Sequence, residues 1–386
     1  MSSGRRRLTA WIVLAPWAAW ALVRGLGLER GYPLVPLLAL TPYVTVLVVV
    51  PLAAALLLRQ RAAGLAALGV AAVLAAGVAP RGVPSRTAAL DGPELRVLTA
   101  NLYYGRADPR ALVDLVRRER VDVLSVQELT PAARDALERE GLTVSLPYQH
   151  AEAEAGASGS GLYARFPLAP LPQVPSSSAF AMPRAGLDIP GAPALEVVAV
   201  HPPPPINAES VRRWEHDLAG LFPAGAAKPL RILAGDFNAT LDHRELRRLL
   251  ARGYRDAAAA SGAGWTATWP RTGTRLPPPV TIDHILIDRR ATPGRVTVHD
   301  LPGSDHRPVL AEVGLPSSPS QAGGRGANAA APATTRRRRD PPRRALGRSL
   351  RSRRRSHSPA DSAARSTSSS SPLMKWASTP LPSGSR

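Results

Sequence analysis

The residues best able to do chemistry in this chain sit in five short polar motifs, each set against an apolar run. Asn101 follows LRVLTA, Gln127-Glu128 follow VDVLSV, His201 follows LEVVAV, and Gly235-Asp236-Phe237-Asn238 follow LRILA. Asp283 lies inside TIDHILI and is completed by Ser304-Asp305-His306-Arg307-Pro308, just before VLAEV. The apolar runs are short, β-branched and bounded by turn residues, so they read as buried strands. Carboxylates, amides and imidazoles at the tips of neighbouring strands converge on one polar pocket, which is how a metal-dependent phosphoester-cleaving site is built. A phosphodiester or pyrophosphate carries charge that repels a nucleophile. A hard divalent cation neutralises it and takes oxygen ligands. Glu128 is the best such ligand, with Asn101 and Asp305 beside it. One or two carboxylates plus water suit Mg²⁺, with Mn²⁺ as the alternative.

Helical patterns alternate with these strands. Asp108-Pro109 and Thr130-Pro131 each pair an N-cap with a proline at the first helical position. Asn207 and Asp242 are placed to cap AESVRRWEHDLAG and HRELRRLLARG. Interleaved strands and helices imply an α/β layered domain. His284 alternates with Asp283 on its strand, so it should face away from the site. Trp265 and Trp269 read as core residues, and His150, His216 and His243 carry no signal. Arg165 and Arg307 flank motifs and fit phosphate binding or an ordinary solvated role equally.

Composition divides the 386 residues into an anchor over 1–80, a linker over 81–93, a catalytic domain over 94–315 and an Arg/Ser/Pro-rich tail over 316–386. The net charge is +20, but from Ser317 onward there are 15 Lys or Arg against 2 Asp, which leaves only +7 elsewhere. The high charge therefore describes the tail rather than a nucleic-acid-binding face. Such a tail cannot bury enough apolar surface to fold, and is expected to be disordered. With no cysteine, disulfides and thiolate chemistry are excluded.

Three apolar runs, 8–28, 34–58 and 62–80, are each long enough to cross a bilayer core of about 30 Å. The first contains Arg24 and the other two contain no charge. Arg5-Arg6-Arg7, and Arg59 with Arg61, mark the cytoplasmic ends. The expected protein is thus a multi-pass cell-membrane protein with its catalytic domain extracytoplasmic. Losing the third span would put that domain in the cytoplasm.

Taken together, TANLYYG, SVQEL, GSGLYARFP, AVHPPPP, LAGDFNAT, GWTATWP, TIDHILI and GSDHRPV resemble the motifs of the endonuclease/exonuclease/phosphatase superfamily in their usual order, over residues about 94–313. The resemblance implies a four-layered α/β sandwich, here preceded by about three transmembrane helices. It implies attack by water that Asp236 orients or deprotonates, and hydrogen bonds from Asn238 to a phosphate oxygen or to that water. It also implies an Asp283–His306 pair, and a His201 that contacts the phosphoryl oxygen or protonates the leaving group. One departure is Ala164, where the family usually has Ser before a basic residue. The anchor followed by this domain is similar to membrane proteins of actinomycetes associated with teicoplanin resistance, which implies a lipid-linked pyrophosphate or a phospholipid as substrate. The alternative is an extracytoplasmic nuclease acting on DNA or RNA, and a non-catalytic membrane scaffold is a third class.

Overall fold

The computed structural model describes residues 2–85, 92–226, 228–271 and 278–318. From residue 319 on, the expected tail lies outside the described residues, as do residues 86–91 of the linker.

The chain opens with helix α1 (Ser3–Leu26). A broken apolar stretch follows: α2 (Leu34–Leu37), a 3-10 turn (Leu38–Leu40), α3 (Thr41–Val46) and α4 (Val49–Leu57). Then come α5 (Arg61–Val78) and a 3-10 turn over Ala79–Gly82. Ser3–Leu26 and Arg61–Gly82 are each long and apolar enough to cross a membrane, and the bent stretch makes a third crossing if its two halves form one span. The uniform helix expected over 34–58 is corrected: the stretch bends by 46° between Val46 and Val49. Proline explains the break. Pro51 has no N–H for the Leu47 carbonyl, which accepts instead from Val50 N at 3.0 Å.

The three apolar stretches run antiparallel. Ala10, Ala55 and Ala63 pack together at one end. Further along, Trp17 Nε1 donates to the Val44 carbonyl at 3.0 Å and Trp20 Nε1 to Thr41 Oγ1 at 3.1 Å. At the other end Arg24 donates to the Gly77 carbonyl at 3.0 Å. Arg5–Arg7 and Arg59–Arg61 therefore share one end of the bundle, and residues 24–33 and 77–82 share the other.

Twelve strands follow among the described residues. They are β1 (Glu94–Asn101), β2 (Val123–Gln127), β3 (Tyr148–Glu152), β4 (Ser160–Ala164), β5 (Leu168–Leu171), β6 (Arg184–Leu187), β7 (Leu195–Val200), β8 (Leu230–Asp236), β9 (Tyr254–Asp256), β10 (Asp283–Asp288), β11 (Thr292–Val298) and β12 (Val309–Gly314). They make two six-stranded sheets, ordered β11-β12-β1-β2-β4-β3 and β5-β6-β7-β8-β10-β9. Strand alternation sets the layers. Along β8, Leu230, Ile232 and Ala234 enter the core between the sheets, while Leu233 points to the outer core. Helices α6 (Pro109–Arg118), α7 (Pro131–Arg139) and α8 (Leu142–Ser145) cover the first sheet through Leu112, Val116, Leu137 and Leu142. Helices α9 (Ala208–Gly220) and α10 (Arg244–Ala251) cover the second through Trp214, Leu218, Leu246 and Leu249, and α11 (Ala257–Ala260) leads into the intersheet core. The result is the expected four-layered α/β sandwich. Its helices start as the sequence predicts: Asp108 accepts from Arg110 N and Ala111 N, Thr130 from Ala133 N, and Asn207 forms a capping box with Ser210.

The capping role expected of Asp242 is corrected. His243 occupies the N-cap of α10 without a side-chain bond, and Asp242 is fully buried between two arginines of the anchor. Arg24 Nε reaches Asp242 Oδ1 at 2.6 Å, and Arg81 contacts both carboxylate oxygens at 2.6 and 2.9 Å. Both guanidiniums also donate to the Gly77 carbonyl, near the end of α5, where carbonyls lack helical partners and the helix dipole is negative. Val35 of α2 is buried in the same core as Trp214 and Phe237, and His243 Nε2 donates to the Val35 carbonyl at 3.0 Å. The anchor and the sandwich are thereby locked together. Removing the carboxylate strands two buried cations. Asp242→Ala should cost about 3–5 kcal/mol, read as a lower melting temperature in detergent micelles; an unchanged value would show that the clamp does not hold the two parts.

Candidate active site

The sheets bring the chemistry-bearing residues to one edge of the sandwich. Strands β1 and β2 are parallel with Asn101 level with Gln127, and β7 and β8 are parallel with Val200 level with Gly235. Glu128 and His201 are therefore the first residues past their strands, at the same end as Asn101 and Asp236. Strand β10 runs antiparallel to β8 and sets Asp283 directly across from Asp236. Gly235 is required here because a Cβ would collide with the Val200 carbonyl. Below the site, Thr99 donates to Gln127, Gln127 to Ser125 and Ser125 to the Ala234 carbonyl, a buried polar chain that joins the two sheets.

Asn101 is the central tie. Its Nδ2 lies 3.1 Å from both Glu128 Oε1 and Asp236 Oδ2, and its Oδ1 accepts from Tyr103 N at 2.9 Å. Glu128 Oε2 accepts from Tyr104 N at 2.6 Å. Asp236 Oδ1 accepts from Asn238 N at 2.8 Å, and Asn238 Nδ2 donates to the Pro202 carbonyl at 3.0 Å, holding the loop that follows His201. Ser304 Oγ donates to the Asn101 carbonyl and accepts from His306 N, which fixes the last motif against the first. Six non-glycine residues have positive φ among the described residues, and four of them, Tyr103, Tyr104, Glu128 and Asn238, are here. Each costs about 1–3 kcal/mol, so the surrounding bonds hold the site in a shape the free chain disfavours.

Asp283, His306 and Asp236 form a charge sandwich. His306 Nδ1 is 2.9 Å from Asp283 Oδ2, and Nε2 is 3.7 Å from Asp236 Oδ2. Burial opposes the imidazolium, but Asp283, Asp236 and Asp305 outweigh it and raise the His306 pKa to about 10. Burial, reinforced by the Asp283 charge, pushes Asp236 up to about 7. Burial also raises Glu128, against hydrogen bonds from Tyr104 and Asn101. His201 is buried with its Nδ1 unpartnered, and its ring meets Phe180 edge-on at 4.9 Å. Burial and the nearby His306 charge lower its pKa to about 3, so it is neutral at neutral pH.

Two oxygen arrangements here could accept a cation. Asp236, Asp283 and His306 present ligand atoms within 4.8 Å of one another, and in this geometry the His306 ring itself lies between the two carboxylates, with Nδ1 on Asp283 and Nε2 toward Asp236. The second comprises Glu128 and Asp305. Asp305 Oδ1 is buried with no hydrogen-bond partner, while Oδ2 accepts from Trp269 Nε1 at 3.0 Å. An orphaned carboxylate oxygen beside a second carboxylate fits a hard divalent cation. In this geometry Asn101 turns its nitrogen, not its oxygen, toward the carboxylates.

The remaining sequence expectations divide. His284 faces away, as expected: its ring lies 2.8 Å from Asp256 Oδ2 and 2.9 Å from the Ala239 carbonyl. Trp269 is corrected from core to site residue, since it holds Asp305 and lies tilted 6.3 Å from His306. Trp265 is largely exposed and donates to the Val78 carbonyl. Arg165 pairs with Asp122 and Arg307 with Asp300. Sequence reasoning also passed over Thr268, whose Oγ1 accepts from Asp283 N at 3.1 Å. Thr268 and Trp269 both lie in GWTATWP, which was the available signal.

The His306 shift makes a pH prediction. A pKa raised in the folded state adds stability that is complete below about 6.5 and is lost as pH rises toward about 10. Metal-free protein should lose melting temperature across that window, and His306→Asn should flatten the slope. Proton NMR of the imidazole checks the same point, because a ring that titrates near 6.5 would contradict it.

Comparison with known proteins identifies a family. The model of the Endonuclease/Exonuclease/phosphatase family matches residues 98–306, more than half of the chain. No curated protein matches it. Similar solved structures include an endonuclease/exonuclease/phosphatase from Beutenbergia cavernae, at 16% identity over 58% of this chain and 72% of that chain, with TM-score 0.44. An AP endonuclease from Archaeoglobus fulgidus is 15% identical over 56% of this chain and 98% of that chain, with TM-score 0.45. Sphingomyelinase C from Streptomyces griseocarneus is 16% identical over 57% of this chain and 99% of that chain, with TM-score 0.40. With its strand-tip carboxylates and its motif order inside the matched span, the chain belongs to the endonuclease/exonuclease/phosphatase family of phosphoester hydrolases.

Proposed function

We propose that this protein is a multi-pass membrane phosphohydrolase that cleaves phosphoester or pyrophosphate bonds of a lipid-linked substrate at the outer membrane face. One observation carries the proposal: three ends of the apolar bundle, near residues 24–35 and 77–82, contact the sandwich, while both basic clusters sit at the opposite end. Basic residues favour the cytoplasmic side, so the catalytic domain belongs outside, against the bilayer surface. Arg24, a basic residue at the sandwich end of the bundle, is paired with Asp242.

Glu128 and Asp305 would hold a divalent cation, Mg²⁺ or Mn²⁺, with Asn101 tying Glu128 to Asp236. A bound cation supplies charge neutralisation on the phosphoryl oxygens. Asp236 orients the attacking water and takes its proton, a task its raised pKa suits. Asp283 holds His306 charged, so the imidazolium faces the negative charge that develops on the phosphoryl group. His201 is neutral and therefore contacts a phosphoryl oxygen as a hydrogen-bond donor; proton donation to the leaving group does not suit its low pKa. Asn238 fixes Asp236 and offers its second amide proton.

Full-length protein in lipid nanodiscs tests this. With Mg²⁺ it should release phosphate from polyprenyl pyrophosphate or from a phospholipid and leave plasmid DNA intact. Chelation should abolish turnover. Asp236→Ala should lower it by roughly 10²–10⁴-fold, and Glu128→Gln should raise the Mg²⁺ needed for half-activity. Plasmid nicking without phosphate release would assign the protein to the nucleases instead.

A further inference from the structure

A cleft of about 710 Å³ opens on the catalytic residues, and its two sides differ. One side carries Glu128, Asp236, Asp305 and His306. The other is built from the anchor, through Tyr32, Pro33, Pro36, Leu37, Ala39 and Leu40. Ile206, at the end of the proline run after His201, adds an apolar lip. Tyr32, Leu37 and Ile206 are 54%, 40% and 67% exposed. This anchor segment is also the beginning of the second apolar stretch, which continues through exposed Val46 and Leu47 into the bent helix. The apolar wall of the catalytic cleft is thus continuous with the exposed apolar surface of the bundle.

The wall is held in place by the sandwich. Val35 is buried in the outer core, and its carbonyl accepts from His243 Nε2. Thr240 N donates to His243 Nδ1 at 2.9 Å, which leaves the proton on Nε2, and burial keeps that ring neutral by lowering its pKa to about 4. Tyr43 OH donates to the Pro279 carbonyl at 2.6 Å. Alternate faces of one short helix therefore do two jobs: Val35 points into the protein core, and Leu37 points into the cleft.

We propose that Tyr32–Leu40, with Ile206, is the specificity wall of the active site, and that it receives the long apolar chain of a phosphoryl lipid sideways from the bilayer. The phosphoryl group reaches Glu128, Asp236 and His306 while the chain stays against the wall, so the lipid need not leave the membrane. This rests on the lipid-directed function proposed above and adds the element that recognises the chain. A charged nucleic-acid backbone has no reason to select an apolar wall, whereas each chain methylene taken from water favours binding.

Full-length protein in nanodiscs, with Mg²⁺, should be compared with Leu37→Asp and Ile206→Asp, both at exposed positions outside the catalytic set. For polyprenyl pyrophosphate and for diacylglycerol phosphate, kcat/KM should fall roughly ten- to hundredfold through KM. For bis(4-nitrophenyl) phosphate, which has no chain, it should not change. Leu37→Phe should restore the lipid activity. Equal loss on the chain-free ester, or no loss on either lipid, would overturn the proposal. A second readout does not depend on turnover: the same two lipids carrying a diazirine on the chain should photolabel residues 32–40, and competition by unlabelled lipid should remove the label. Labelling confined to the spans, with none at 32–40, would refute the wall. Labelling at 32–40 without hydrolysis would keep the wall and refute the phosphohydrolase. The lipid that labels more strongly identifies the chain class.

Discussion

The buried contact among Arg24, Asp242 and Arg81 is the constraint on which the rest of this molecule depends. It joins the end of the first apolar helix, the turn after the last one and the loop that follows the Asp236 motif. A buried ion pair is a weak source of net stability, because desolvation offsets most of the attraction. Its value is geometric. Two guanidiniums cannot be left unpaired in an apolar surrounding, so the arrangement that satisfies both of them with Asp242 and the Gly77 carbonyl is strongly selected. With it in place, the segment between the first two apolar stretches is held by His243 and lines the cleft beside the catalytic edge.

The catalytic edge has a related electrostatic problem. Register places Asp236 opposite Asp283 across two antiparallel strands, and like charges so placed repel. His306 lies between them and takes up a proton to balance the pair. Burial and the Asp283 charge, working against the His306 proton, keep Asp236 a weaker acid than an ordinary carboxyl group, whereas Glu128 and Asp305 are turned toward Asn101 and Trp269. Strained backbone at Glu128 and Asn238 aims the two motifs inward, and their hydrogen bonds to Tyr104 N and Asp236 hold that shape.

These two constraints act on one another through space. Asp242 lies six residues after Asp236, and His243 beside it holds Val35. The anchor therefore contributes a wall of the catalytic cleft rather than a tether alone. A domain cut free of the anchor would lose that wall and leave Asp242 buried without its two cations.

Much of this was legible in the sequence because it is local. Short β-branched runs bounded by turn residues marked the central strands, and Asp-Pro, Thr-Pro and Asn signals marked the helix starts. Polar residues at strand tips marked Asn101, Glu128, His201, Asp236, Asp283 and His306, since a convergent pocket explains so many of them at the same end of buried strands. What the sequence could not give depends on long-range pairing. Asp242 looked like a helix cap because its neighbours are a helix, whereas its partners lie 218 and 161 residues away. Trp269 looked like core because large aromatics usually are, and only the approach of Asp305 gives its indole a role. The run over 34–58 looked like one unbroken helix because hydropathy does not register where a proline opens the ladder. Local composition determined the chemistry and the layers; tertiary structure alone decided which apolar segment faces the site, because that depends on where buried charges far apart in the chain find one another.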